Sequence, residues 1–193
     1  MKLLFIRSAK AKGYLKLSLA DGEDNIDLFV SEREYKEAGS PLVRDEILDD
    51  VLQFLKAADM RFRARIKAHR VLEYGDNSER LLVIKLRRAG ISQSIAEETA
   101  HEMVMRGFVN DLRQLKRLVA RELSSLVGPS KFIPKLISKG YSKSDIEIAL
   151  DELSESGEGD VEAARRALIE KNKDLPENEL RALLYKRGFT SYD

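Results

Sequence analysis

Leu86-Arg87-Arg88-Ala89-Gly90-Ile91-Ser92 is the stretch that decides the fold. It returns as Leu136-Ile137-Ser138-Lys139-Gly140-Tyr141-Ser142, and again as Leu184-Tyr185-Lys186-Arg187-Gly188-Phe189-Thr190. The glycines are 50 and 48 residues apart, and each copy carries an apolar residue four positions before its leucine: Leu82, Phe132 and Leu180. Each position has a physical task. The apolar pair forms the buried stripe of a helix, and the glycine supplies the left-handed residue that ends it without steric cost. The large residue after it folds back on the last turn, and Ser or Thr caps the next helix. Three copies at a near-constant period predict tandem repeats of about three helices each.

Working outward, the first repeat uses a helix ending near Leu72, then Ser78–Ala89 and Ser92–Arg106. The second uses Asp111–Leu126, Ser130–Lys139 and Ser142–Leu153. The third uses Val161–Asn172 and Glu177–Arg187, with its last helix cut short at Thr190-Ser191-Tyr192-Asp193. Phe132, Tyr141 and Phe189 occupy repeat-defining positions, so they are expected in the core rather than as stacking platforms for bases.

Upstream the period changes. Leu15, Leu17 and Leu19 alternate with polar residues, as do Ile26, Leu28 and Val30 after Asp21-Gly22-Glu23-Asp24-Asn25, which predicts a β-hairpin. Leu4-Phe5-Ile6 can add a third strand. Ser31-Glu32-Arg33-Glu34 fits a capping box for a short helix. From Arg44 the positions Ile47, Leu48, Val51, Leu52 and Leu55 follow helical spacing on to about Leu72, with a break expected near Ala57–Met60. The chain is therefore expected to be mainly α: tandem three-helix repeats in an elongated array, preceded by a small N-terminal β-hairpin region. The divisions are 1–43 for the hairpin region and its short helix, and 44–109 for the first helical unit with its lead-in helix. They continue with 110–156 for the second unit and 157–193 for the third, incomplete one, and the polar stretch Ser154–Asp160 reads as a linker.

Composition narrows the chemistry. The 193 residues include no cysteine, which excludes disulfides, thiolate metal sites and a cysteine nucleophile. His69 and His101 lie 32 residues apart with no i+4 partner, so neither is expected to bind metal. Asp45, Glu46, Asp49 and Asp50 read as the solvated side of a helix rather than a metal cluster. No phosphate-cradling glycine loop and no Gly-x-Ser-x-Gly elbow occur. No enzymatic activity, cofactor or metal is expected, and no apolar run approaches a membrane span.

The net charge of +1 conceals segregation: residues 1–60 carry −3, residues 61–143 carry +10 and residues 144–193 carry −6. A basic middle attracts polyanions. Within it Lys85, Arg87 and Arg88 precede Gly90, and Lys131, Lys135 and Lys139 form an i, i+4, i+8 series before Gly140. Arg113, Arg117 and Arg121, with Lys116 beside them, form a stripe opposite Leu112, Leu115, Val119 and Leu126. Like charges at that spacing cost a few tenths of a kcal/mol per pair. These ten cations are the candidate binding residues; the alternative reading of each is a solubilising surface charge.

The three corner copies, the joint Arg106-Gly107-Phe108-Val109-Asn110-Asp111 and the segment Val127-Gly128-Pro129-Ser130-Lys131 resemble the RecX family, bacterial modulators of the RecA recombinase. The stretch Leu19-Ala20-Asp21-Gly22-Glu23 is similar to the N-terminal extension of some members. The resemblance implies a curved array of three-helix units lying in the groove of the RecA–DNA filament and, as a rule, inhibiting it, with roles in DNA repair, homologous recombination and the SOS response. The chain departs from the family pattern in four places. Asn110-Asp111 stands where two acidic residues are common, and Gln114 and Leu118 stand where an aromatic pair is expected. Pro134 interrupts a helix, and the final helix is missing.

The expected function is a cytoplasmic, monomeric, non-enzymatic regulator whose partners are RecA and its filament on single-stranded DNA, with weak direct contact to DNA. Two other classes remain open. One is a direct DNA-binding regulator using a Gly-jointed helix pair as a helix-turn-helix, and the other is a helical-repeat adaptor for another protein.

Overall fold

Ile91 donates its N–H to the Leu86 carbonyl at 3.2 Å, and Gly90 donates to Arg87 at 2.9 Å. The same two bonds recur from Tyr141 to Leu136 and Gly140 to Ile137, and from Phe189 to Leu184 and Gly188 to Tyr185. The three glycines have φ of +86°, +93° and +91°. This is the Schellman closure of a helix end, which satisfies carbonyls the helix leaves unpaired. The residue after each glycine, Ile91, Tyr141 or Phe189, is buried.

The computed structural model describes residues 1–21 and 24–189. Gly22 and Glu23 of the expected hairpin turn, and Thr190–Asp193, lie outside the described residues. The elements are β1 (Lys2–Ser8), β2 (Tyr14–Asp21), β3 (Asp24–Ser31), α1 (Glu32–Glu37) and α2 (Asp49–Glu73). They continue with α3 (Glu79–Arg88), α4 (Gln93–Met105), α5 (Asp111–Ser124), α6 (Pro129–Ser138), α7 (Lys143–Ser156), α8 (Val161–Lys171) and α9 (Glu177–Arg187). The fold is thus mainly α with a small N-terminal sheet. Packing divides it into two compact units, one of Met1–Val71 with Lys85–Thr99, the other of Leu72–Ile84 with Ala100–Asp193.

The first unit is built on an antiparallel sheet ordered β1-β2-β3. Leu3, Leu17, Leu19, Leu28 and Val30 form its inner face and bury against Ile47, Leu52, Leu55 and Ala58. Both edges of the sheet are covered. Arg44 donates its N–H to the Leu3 carbonyl at 2.7 Å and Ile47 to Met1 at 2.7 Å, so residues 44–47 pair with β1. At the other edge Phe29 donates its N–H to the Asp59 carboxylate at 2.9 Å, and Arg63 donates to the Asp27 carbonyl at 3.3 Å. Side chains of α2 thereby stand in for a fourth strand, removing an open template for chain–chain pairing.

Several expectations are corrected here. The helix expected from Arg44 begins at Asp49, because Arg44–Ile47 spend their backbone groups on β1; Leu48 is exposed. Asp45 and Glu46 therefore lie outside the helix, and Asp45 accepts the Leu42 N–H at 2.6 Å. Helix α2 runs through Ala57–Met60 without a break. Ser31 and Glu34 do form the capping box, and Glu34 also reaches Arg61 at 2.9 Å.

In the second unit α5–α9 share one core around Leu115, Val119, Phe132, Ile146, Leu153 and Leu168. Leu123 is buried in it. Leu126 lies beyond α5 at φ +55°, because that helix closes at Ser124–Ser125. Pro134 does not interrupt α6. Ser154–Ser156 belong to α7, which Gly157 caps in the left-handed conformation.

The corners of this unit do more than turn the chain. Ser78 Oγ donates to the Lys139 carbonyl at 2.7 Å, and a Cβ added at Gly140 would stand 2.6 Å from that oxygen. One repeat later Ser130 Oγ donates to the Gly188 carbonyl at 3.0 Å, and Gly128 donates its N–H to Arg187 at 2.8 Å. A Cβ at Gly188 would meet Lys131 Cγ at 2.6 Å. Each of these two corners is seated on the first turn of a helix from the preceding repeat.

Candidate basic interface

Helix α5 starts with Asn110, whose side chain accepts the Arg113 N–H at 2.9 Å. Asp111 turns its carboxylate to the neighbouring helix and accepts the Glu79 N–H at 3.1 Å, capping α3 from outside. Burial pushes the Asp111 carboxyl upward, the Glu79 N–H opposes this, and the Glu79 and Asp145 carboxylates add to the rise. The two residues at this joint therefore serve two different helix starts.

With the apolar side of α5 in the core, its cations face outward, and most find partners. Arg117 pairs with Asp76, and Lys116 pairs with Glu152 of α7. Arg121 and Lys135 share Glu122 at 3.8 and 3.9 Å. Arg113, Lys131 and Lys139 are exposed and form no ion pair among the described residues. Lys131 also lays its aliphatic stem against Gly188. Exposed ion pairs of this kind contribute about 0–1 kcal/mol each, so an incoming anion can exchange with them at small cost.

Lys85, Arg87 and Arg88 belong to the other unit. Arg87 and Arg88 are exposed at the end of α3, where cations favour the helix dipole, and Lys85 is half-buried. The ten candidates thus fall into two groups on two units.

Sequence reading missed three features. Gln114 is buried within the apolar stripe of α5 and accepts the Tyr141 hydroxyl at 2.9 Å. Asp76, the partner of Arg117, lies 41 residues away from it. The third is a cleft of roughly 460 Å³ in the first unit, with Phe29, Phe62, Ile66 and Ile91 in its apolar lining. Arg63, Lys67 and Arg70 supply its charge, and no carboxylate lines it among the described residues. The i, i+4, i+7 spacing of these three cations was a legible signal.

Among the described residues no three His, Asp or Glu side chains gather as a metal site, and no helix is long and apolar enough to cross a membrane. No family model matches the chain, and no curated protein matches it significantly. Solved structures do. The crystal structure of a regulatory protein RecX superposes with a TM-score of 0.69 over 98% of this chain and 95% of its own, at 21% identity. RecX from Lactobacillus salivarius superposes with a TM-score of 0.57 over 70% of this chain and 92% of its own, also at 21% identity. The chain has a RecX-like fold.

Proposed function

We propose that this protein is a non-enzymatic regulator that docks on the RecA–DNA filament in the cytoplasm and restrains recombinase activity in DNA repair and the SOS response. The observation that carries the reading is fold likeness to a RecX over 98% of this chain. Charge supports it: both units present cations, and those on α5 and α6 either form no ion pair among the described residues or are held by surface pairs that an anion can exchange. Arg113, Lys131 and Lys139 are the first contacts for acidic protein surface or DNA phosphate. Lys116, Arg117, Arg121 and Lys135 follow by releasing their carboxylates, and Lys85, Arg87 and Arg88 act from the other unit. The protein acts as a monomer and needs no cofactor, since the work is steric and electrostatic.

The test is RecA ATPase on single-stranded DNA with and without this protein, alongside binding to the same DNA without RecA. A RecA-dependent drop in rate with weak intrinsic DNA affinity is expected. Replacing Arg113, Lys131 and Lys139 together by Gln should leave the melt unchanged, since such surface changes move stability by about ±0.5 kcal/mol. It should weaken filament binding and flatten its salt dependence. Tight DNA binding with no effect on RecA would point to a direct DNA-binding regulator, and neither effect to an adaptor for another protein.

A further inference from the structure

Of the three Gly corners, two are covered and one is not. Gly140 sits on the first turn of α3 and Gly188 on the first turn of α6, each through a serine hydroxyl on a corner carbonyl. At Gly90 nothing lies within 4 Å of an added Cβ, and this corner lines the cleft with Phe62 and Ile66. The same backbone shape receives a helix start at two of the repeat corners and is open at the third. The helix ends at Gly107 and Gly157 share the shape and are open as well, but only Gly90 lines an apolar cleft among the described residues. The charge around it is one-sided. Arg63 is committed to Asp59 at 2.6 Å, but Lys67 and Arg70 are exposed without an ion pair among the described residues. Arg87 and Arg88 immediately precede the corner.

We infer that the cleft beside Gly90 receives the first turn of a helix from a partner protein, one capped by Ser and carrying Asp or Glu in that turn. The serine would donate to a corner carbonyl as Ser78 and Ser130 do. The first-turn carboxylates, which helix starts favour anyway, would meet Lys67 and Arg70. Apolar side chains one turn on would cover the exposed Ile66. Single-stranded nucleic acid fits less well, because it needs free ring faces. Phe62 already lies between Phe29, stacked at 5.1 Å, and Tyr14 at 4.7 Å. The inference does not depend on the partner being RecA.

The probe is a fluorescein-labelled helical peptide beginning Ser-Pro-Glu-Glu-Leu, titrated with the full chain and followed by anisotropy. Its control replaces Ser by Ala and both Glu by Lys, and an oligothymidylate of similar size is run beside them. Saturable binding of the acidic peptide alone is expected, weakened at least about tenfold by K67E with R70E, since a charge-assisted contact becomes a repulsion. G90N should do the same without unfolding the chain, because Asn tolerates positive φ and the corner is open. Circular dichroism melts verify both variants. Absent peptide binding, binding indifferent to K67E/R70E and G90N, or capture of the oligothymidylate instead through Lys67 and Arg70 would each overturn the inference.

Discussion

The hydroxyl of Tyr141 donates a 2.9 Å hydrogen bond to Oε1 of Gln114, inside the core of the second unit. Tyr141 is the large residue that follows the middle corner glycine, and Gln114 faces it from α5 in a stripe of leucines and valine. A buried polar pair of this kind fixes orientation, because neither group has water to fall back on.

Tyr141→Phe should cost about 1–3 kcal/mol, because it leaves the Gln114 amide oxygen buried without a donor. Gln114→Leu strands the phenol instead. The double variant should recover much of the loss, since removing both partners is nearer neutral than removing one. Urea unfolding of the three variants gives the cycle; equal losses in single and double variants would count against the pairing.

The same residue predicts behaviour in base. Burial pushes the Tyr141 phenol up to about 12, the Asp111 carboxylate adds to the rise, and Arg117 opposes it. A raised phenol contributes its full stabilisation below the unfolded value of about 10. That contribution is lost as pH climbs through the folded value. Melting temperature should therefore fall more steeply above about pH 10 in the native chain than in Tyr141→Phe.

Glu34 should act in the opposite direction. Burial raises its carboxyl, but the Ser31 N–H and hydroxyl together with Arg61 outweigh this and hold it below its ordinary value. Its stabilisation is present above the unfolded value of about 4.3 and is lost as pH falls through the depressed one. Glu34→Gln should cost about 2 kcal/mol at neutral pH, the scale of hydrogen bonds to a charged group. The deficit should shrink in acid, read from melts between pH 7 and 3.

Asp111→Asn should stabilise. The folded environment raises this carboxyl, so the residue favours folding fully only below its unfolded value of about 3.9 and loses that advantage as pH rises. Asn can still accept the Glu79 N–H while removing the repulsion with Glu79 and Asp145. A gain of about 2–4 °C at pH 7 that vanishes in acid is expected.

The corners separate by substitution as well. Gly90→Ala should cost about 1–2 kcal/mol, the price of a left-handed Cβ. Gly140→Ala should cost clearly more, because its Cβ would also meet Ser78 Oγ at 2.6 Å. Equal losses in denaturant would mean that the Ser78 joint yields freely.

The repeat was legible in the sequence because its period is carried by glycines whose backbone no other residue replaces cheaply, and the helices of the repeats start and stop within a few residues of expectation. Arg44–Leu48 was not, because Ile47 turned inward fits a helical stripe as well as a strand, and only the distant Met1 and Leu3 decide. The outward direction of Arg113, Arg117 and Arg121 followed from the leucines opposite. Their neutralisation did not, since Asp76 and Glu152 arrive from other helices. The cleft was legible only in part: the spacing of Arg63, Lys67 and Arg70 puts them on one helix face, but they acquire meaning only beside Phe29 and Gly90.

The serine joints also set the order in which the repeats can close as the chain is made. Ser78 finds its carbonyl 61 residues downstream and Ser130 finds its own 58 residues downstream. A nascent chain paused between repeats therefore exposes the start of a helix already made, waiting for a corner still inside the ribosome. Each repeat closes the one before it, so a premature stop just short of Gly188 would leave α6, made far earlier, with an unlatched first turn.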